Sequence, residues 1–150
     1  MSSAYLNNQI SKTKAKKRAW EAFSIYMRTL WNLAKGYVEC YTCGAHTVLK
    51  GRPGIRTMVG HWVEGHSNST YINPVFVRPQ CYKCNMMMGG NQGEFRDRIR
   101  KELGDEVVDN LLRKAHETVE ISVQEYLQKQ SYYKETLKIL LENEISAVDK

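Results

Sequence analysis

The sequence predicts a mostly helical α+β fold: a long N-terminal helix, a central strand–loop–strand–helix module pinned by four cysteines, and helices to the C-terminus. Three observations predict it. Apolar residues recur at three- and four-residue spacing before Gly36 and again after Gly90. Between those regions stand two Cys-x-x-Cys pairs, Cys40/Cys43 and Cys81/Cys84. Between the pairs, short β-branched and aromatic runs are separated by Gly, Pro, Asn and Ser clusters. The length of 150 residues suits one domain with a real core. Within it, residues 1–36 form a basic N-terminal helical segment, 37–95 the cysteine-bound core and 96–150 the C-terminal helices.

In "SKTKAKKRAWEAFSIYMRTLWNLAKG", Trp20, Phe23, Met27, Leu30, Trp31 and Ala34 make one apolar helix face. Ser11 or Thr13 can cap its start and Gly36 can end it. "KGRPGIRT" reads as a loop, "RTMVGHW" as a short strand ending near His61, "EGHSNSTYINP" as a polar loop and "VFVRPQC" as a second strand. "YKCNMMM" opens a short helix that Gly89 and Gly90 stop, with Met86, Met87 and Met88 as core filler. "QGEFRDRIRKEL" is a helix ended by Gly104, and Asp105 can cap "EVVDNLLRKAH". Ser122 and Glu125 form a capping box for a long helix towards Ile145. Its stripe of Val123, Tyr126, Leu127, Tyr133, Leu137, Leu140 and Leu141 suits packing within the chain before a dimer interface.

The formal net charge is +6 and the isoelectric point about 9.1, a balance that favours a polyanionic partner. No apolar run is long enough to span a membrane, and the N-terminus lacks the apolar core of a secretory signal, so a cytoplasmic location is expected. Four cysteines at knuckle spacing, with none left over, read as a closed four-thiolate Zn²⁺ site with no open position for catalysis. Lys14, Lys16, Lys17 and Arg18 on the first helix, with Arg96 and Arg98 in "EFRDRIRK", are candidate phosphate contacts.

The zinc fixes both ends of the strand–loop–strand–helix module. It should therefore bring His61, at the end of the first strand, to face Asn85, directly behind the last cysteine. Imidazole can take a proton from water near neutral pH. An amide oxygen is a hard ligand, suited to Mg²⁺ and not to zinc. A base beside a hard cation in a basic protein fits phosphodiester hydrolysis. Each residue also has a plainer use: Asn85 as a helix cap, His61 as an ordinary histidine, His66 as a loop residue.

At "AWEAFSIYMR", "CYTCG", "GHW", "NPVFVRPQCYKCN", "GGN" and "FRDRI" the sequence resembles the phage recombination protein family NinG/Rap, among the HNH-like (His-Me finger) nucleases. The likeness runs from about Ala19 to about Leu141. The Cys-x-x-Cys-Asn element is similar to that of phage endonuclease VII. The resemblance implies a ββα-metal centre and an endonuclease acting on branched DNA such as Holliday junctions, in the bacterial host of a phage or prophage. It makes the four cysteines the structural zinc ligands, His61 the general base and Asn85 a ligand of catalytic Mg²⁺ or Mn²⁺. A homodimer is expected if the substrate is a four-way junction. Two departures stand out. Gly60 replaces the Asp that resolvases similar to endonuclease VII carry before the His. Phe76 stands where the HNH pattern has an Asn. The rest of the metal shell is sought among Glu64, His66, Asn73 and Asn91, with Asn91 first. The alternative is a non-catalytic zinc-ribbon DNA-binding regulator, which needs only the cysteines and the charge. A third reading is an interaction protein working through its long C-terminal helix.

Overall fold

The computed structural model describes residues 10–65 and 67–148, and the candidate ligand His66 lies outside them. The chain is α-rich and divides into two compact units, Trp31–Val119 and the flanking Met1–Leu30 with Glu120–Lys150.

The flanking unit is built from two long helices, α1 (Lys12–Asn32), which runs on into the central unit, and α5 (Val123–Val148). The Ser11 hydroxyl accepts the Lys14 amide at 3.2 Å and so caps α1. Ala15, Ala19, Ala22, Phe23 and Met27 fall on the buried face. The capping box of α5 is formed: Ser122 Oγ accepts the Glu125 N–H at 3.1 Å, and the Glu125 carboxylate accepts the Ser122 N–H at 2.7 Å. Tyr126 and Tyr133 are buried, and the Tyr133 ring meets Phe23 edge-on with centroids 5.0 Å apart. Burial pushes the Tyr133 phenol up to about 12, helped by the neighbouring Tyr132 and Tyr26. Of the expected α5 stripe, Tyr126 and Tyr133 are thus buried, Val123, Leu127, Leu137 and Leu140 are partly buried, and Leu141 is exposed.

The central unit opens on a small hairpin, β1 (Val38–Glu39) with β2 (His46–Thr47), around the first cysteine pair. A second antiparallel hairpin follows, β3 (Met58–His61) with β4 (Val77–Gln80), in the register Met58↔Gln80, Val59↔Pro79, Gly60↔Arg78, His61↔Val77. The Tyr41 N–H bonds the Pro79 carbonyl at 2.8 Å, which ties the first cysteine turn to the outer edge of β4. A π-helical turn, Lys83–Met87, leads into α3 (Gln92–Leu103) and α4 (Asp105–Ala115). The core consists of Trp62, Val63, Phe76, Phe95, Ile99, Val108 and Ala115.

Several elements differ from the sequence reading. β3 ends at His61 as expected, with Trp62 turned into the core, but the second strand starts only at Val77, because Pro74–Phe76 is a 3₁₀ turn before β4. The polar loop contains one helical turn, α2 (Asn68–Tyr71), held by Ser67 and Ser69 hydroxyls on the Ala115 carbonyl at 3.2 and 2.8 Å. Asp105 does not cap α4. Gly104, at φ +86°, serves both α3 and α4, so no residue is left between the helices to cap, and Asp105 pairs with Arg100 at 3.1 Å instead. Met86, Met87 and Met88 are not core filler: they are 58, 72 and 48 % exposed, because the turn points them away from the hairpin.

Candidate metal centre and active site

The four cysteine sulfurs lie within 4.8 Å of one another, with Cys43 Sγ and Cys81 Sγ 3.7 Å apart. A tetrahedral ion with about 2.3 Å Zn–S bonds needs sulfurs roughly 3.8 Å apart, so the donor set fits zinc in kind, number and spacing. Cys40, Cys81 and Cys84 are buried and Cys43 is exposed. Burial raises the Cys40 thiol, but hydrogen bonds from the Thr42 hydroxyl and nearby backbone outweigh it and bring it down to about 6. Burial and the three neighbouring thiols push Cys81 up to about 12. Four thiolates this close repel one another unless a cation sits among them. Polar groups already face the sulfurs: the Thr42 hydroxyl at 3.4 Å from Cys40, the Cys84 N–H at 3.4 Å from Cys81, and the Asn91 amide at 3.6 Å from Cys84. Asn91, first choice to complete the Mg²⁺ shell, therefore has its amide nitrogen at the sulfur cluster, from a left-handed backbone at φ 50°.

The turn behind the second pair packs on β3. Pro79 has no N–H to give Val59, so the Val59 carbonyl points away from β4, and the His61 carbonyl, two residues on, points the same way. Asn85 Nδ2 bonds the Val59 carbonyl at 3.4 Å, and Gln92 Nε2 bonds the His61 carbonyl at 2.9 Å. Asn85 does not cap a helix; it lies inside the π turn and its side chain reaches across to the strand. His61 Nε2 lies 2.9 Å from the Tyr71 carbonyl, and the two rings stack with an 8° tilt. A carbonyl only accepts, so Nε2 carries the proton and the neutral ring has its lone pair on Nδ1.

Gln80 was not foreseen. It is fully buried, and its Nε2 donates to the Gly90 carbonyl at 2.8 Å and the Thr42 hydroxyl at 3.1 Å, while its Oε1 accepts from Asn85 Nδ2 at 3.3 Å. It occupies the space in front of Gly60, where an added Cβ would lie 2.1 Å from Oε1. A glycine inside a strand was the one signal of such a close approach.

The remaining candidates divide. Asn73 spends its side chain locally, accepting the Val75 N–H at 3.1 Å and donating to the Ser69 carbonyl at 3.4 Å, and Phe76 packs on Trp62 in the core. Glu64 is exposed. Arg98 is paired with Glu94 at 2.7 Å. Arg96 keeps its Nε buried with no partner among the described residues, and so does Gln92 Oε1 one turn before it. Lys14, Lys17 and Arg18 are exposed on α1 and Lys16 is partly buried.

A family model described as the Bacteriophage Lambda NinG protein matches residues 6–144. The chain belongs to the NinG family. No curated protein and no solved structure gave a match. The NinG match spans both cysteine pairs, His61, Gln80 and Asn85. Among the described residues of this NinG chain, no helix is long and apolar enough to cross a membrane.

Proposed function

We propose that this NinG-family chain is a metal-dependent DNA endonuclease of the HNH-like, ββα-metal kind, cutting phosphodiester bonds in branched recombination intermediates. The observation that carries the reading is the bond from the Asn85 amide to the strand that ends in His61, made from a turn anchored by Cys81 and Cys84. A base and a hard oxygen donor are thereby held on one rigid frame.

Zinc, held by Cys40, Cys43, Cys81 and Cys84, supplies the frame. Asn85 Oδ1, which makes no bond among the described residues, is the donor for Mg²⁺ or Mn²⁺. That cation, when bound, lowers the energy of the charge that develops on the phosphoryl oxygens and the leaving group. The Tyr71 carbonyl fixes the ring of His61 so that Nδ1 takes a proton from the attacking water. The water oxygen bonds to phosphorus, the bond to the 3′ oxygen breaks, and that oxygen leaves with a proton from solvent. The ends are a 5′-phosphate and a 3′-hydroxyl. Arg96, partly exposed on α3, is the phosphate contact there. The basic start of α1 has no acidic residue in its first turn, so Lys12 and Lys14 oppose the helix dipole there. Such a run destabilises its own helix and suits a polyanion partner. The resemblance to phage recombination proteins is what supports reading the substrate as branched DNA, the location as the host cytoplasm and the acting form on four-way junctions as a homodimer.

The deciding experiment incubates labelled four-way junction, flap, single strand and linear duplex with Mg²⁺, Mn²⁺ or EDTA. The wild type cleaves the branched substrates only with metal. His61→Ala loses turnover on the order of 10²–10⁴ while keeping DNA binding. Asn85→Ala recovers part of its loss at high Mn²⁺. Wild-type protein that binds these DNAs but cuts none with either metal defeats the proposal in favour of the zinc-ribbon binding module.

A further inference from the structure

Gln80 has one allowed orientation. The Gly90 carbonyl can only accept, so the Gln80 atom 2.8 Å from it is Nε2, and Oε1 is the atom that faces Asn85. Oε1 in turn can only accept, as can the Val59 carbonyl, so the Asn85 atom between them is Nδ2. The orientation of one amide thus dictates that of the next, and Asn85 Oδ1 is the atom left over. Gly60 completes the arrangement, since any side chain there would displace Gln80.

We propose that Gln80, seated against Gly60, is a positioning residue that presents Asn85 Oδ1, and not Nδ2, to the catalytic cation. This rests on the reading of Asn85 as a cation ligand. It accounts for the missing acid before His61: the space an Asp at position 60 would need is filled by the residue that aims the amide. It also explains why position 85 is Asn. An Asp is by itself the stronger ligand for a hard cation. Here its carboxylate would face two acceptors, Gln80 Oε1 and the Val59 carbonyl, with no proton to offer either. At the other end, Gln80 meets Thr42, whose hydroxyl also touches the Cys40 sulfur, so the aiming device is braced on the zinc knuckle.

The test is Mn²⁺ binding followed by electron paramagnetic resonance on full-length, zinc-loaded protein, a readout independent of cleavage. Gln80→Met should weaken Mn²⁺ binding about two- to tenfold, the loss of one modest hydrogen bond. Asn85→Asp should also weaken binding in the wild-type background. In the Gln80→Met background the same change should strengthen it, because one opposing acceptor is gone and a carboxylate has no wrong way round. A purely structural role for Gln80 predicts that Asn85→Asp acts in the same direction in both backgrounds, and that result overturns the proposal. Gly60→Ala, which pushes Gln80 aside without removing it, should reproduce the reversal and serves if Gln80→Met does not fold. Wild-type protein that binds no Mn²⁺, or an Asn85→Ala variant that binds as the wild type does, defeats the ligand reading itself before Gln80 is touched.

Discussion

Removing zinc should unfold the central unit while leaving the helices of the flanking unit. Without metal, the two cysteine turns keep only hydrogen bonds such as Tyr41 N–H to the Pro79 carbonyl and Gln80 to Thr42. β1–β2 has two residue pairs and β3–β4 has four, and isolated hairpins of this size are marginal in water. Cys43 and Cys81 are 38 residues apart in sequence. Closing a loop of that length in the unfolded chain is worth about 4 kcal/mol by the chain-entropy relation for cross-links, and a four-sulfur zinc site is worth at least that. A loss of that size is a large part of the 5–15 kcal/mol that typically holds a domain. For a unit near 100 residues it lowers the melting midpoint on the order of 20 °C. The assay follows zinc release to a strong chelator together with tryptophan fluorescence and far-ultraviolet circular dichroism. Trp62 is fully buried in the central core, so its emission should shift red as metal leaves, while much of the helical signal persists. A metal-free protein with reduced cysteines, unchanged dichroism and an unchanged melting point would refute the reasoning.

Replacing Met86, Met87 and Met88 together by Ser should change stability by less than about 1 kcal/mol, as exposed positions do, where three buried methionines would cost about 2–5 kcal/mol each; urea unfolding measures it. Alkali should weaken the flanking unit. The folded Tyr133 holds its proton up to about 12 against the ordinary 10, so between those values the native state binds a proton that the unfolded chain has released. Stability from this group is complete below pH 10 and falls as pH rises towards 12, and Tyr133→Phe should flatten that part of a melting-point-against-pH curve.

The parts of the fold that could be read from sequence are those set by local chemistry. α3 runs Gln92–Leu103, as its periodicity and Gly104 indicate, and α5 starts at the Ser122–Glu125 box, because both signals act within one or two turns. The cysteine set was readable because tetrahedral thiolate binding imposes its own spacing. β1, β2 and α2 were not, because elements of two to four residues are too short to carry a period and depend on bonds such as Ser69 to Ala115. Within the proposed site, His61 and Asn85 stood out by position, but Tyr71 and Gln80 did not. One meets His61 through a backbone carbonyl, which every residue possesses, and the other is a buried amide whose partners come from three separate segments. Exposure of the methionines likewise depends on which way the π turn leaves β4, a tertiary outcome.

The proximity of Cys43 and Cys81 has a consequence for handling the protein in air. With their sulfurs 3.7 Å apart and Cys43 open to solvent, the two need move by less than 2 Å to reach the roughly 2 Å bond of a disulfide. While zinc is bound, those electron pairs are committed to the ion. Once it is lost, oxygen or an oxidised thiol can couple Cys43 to Cys81 and consume two of the four donors. Reloading with zinc alone would then fail, and a reductant would have to come first. Metal loss and oxidation would thus act in sequence as a ratchet, and freshly chelated protein should regain its metal only if it has been kept reduced throughout.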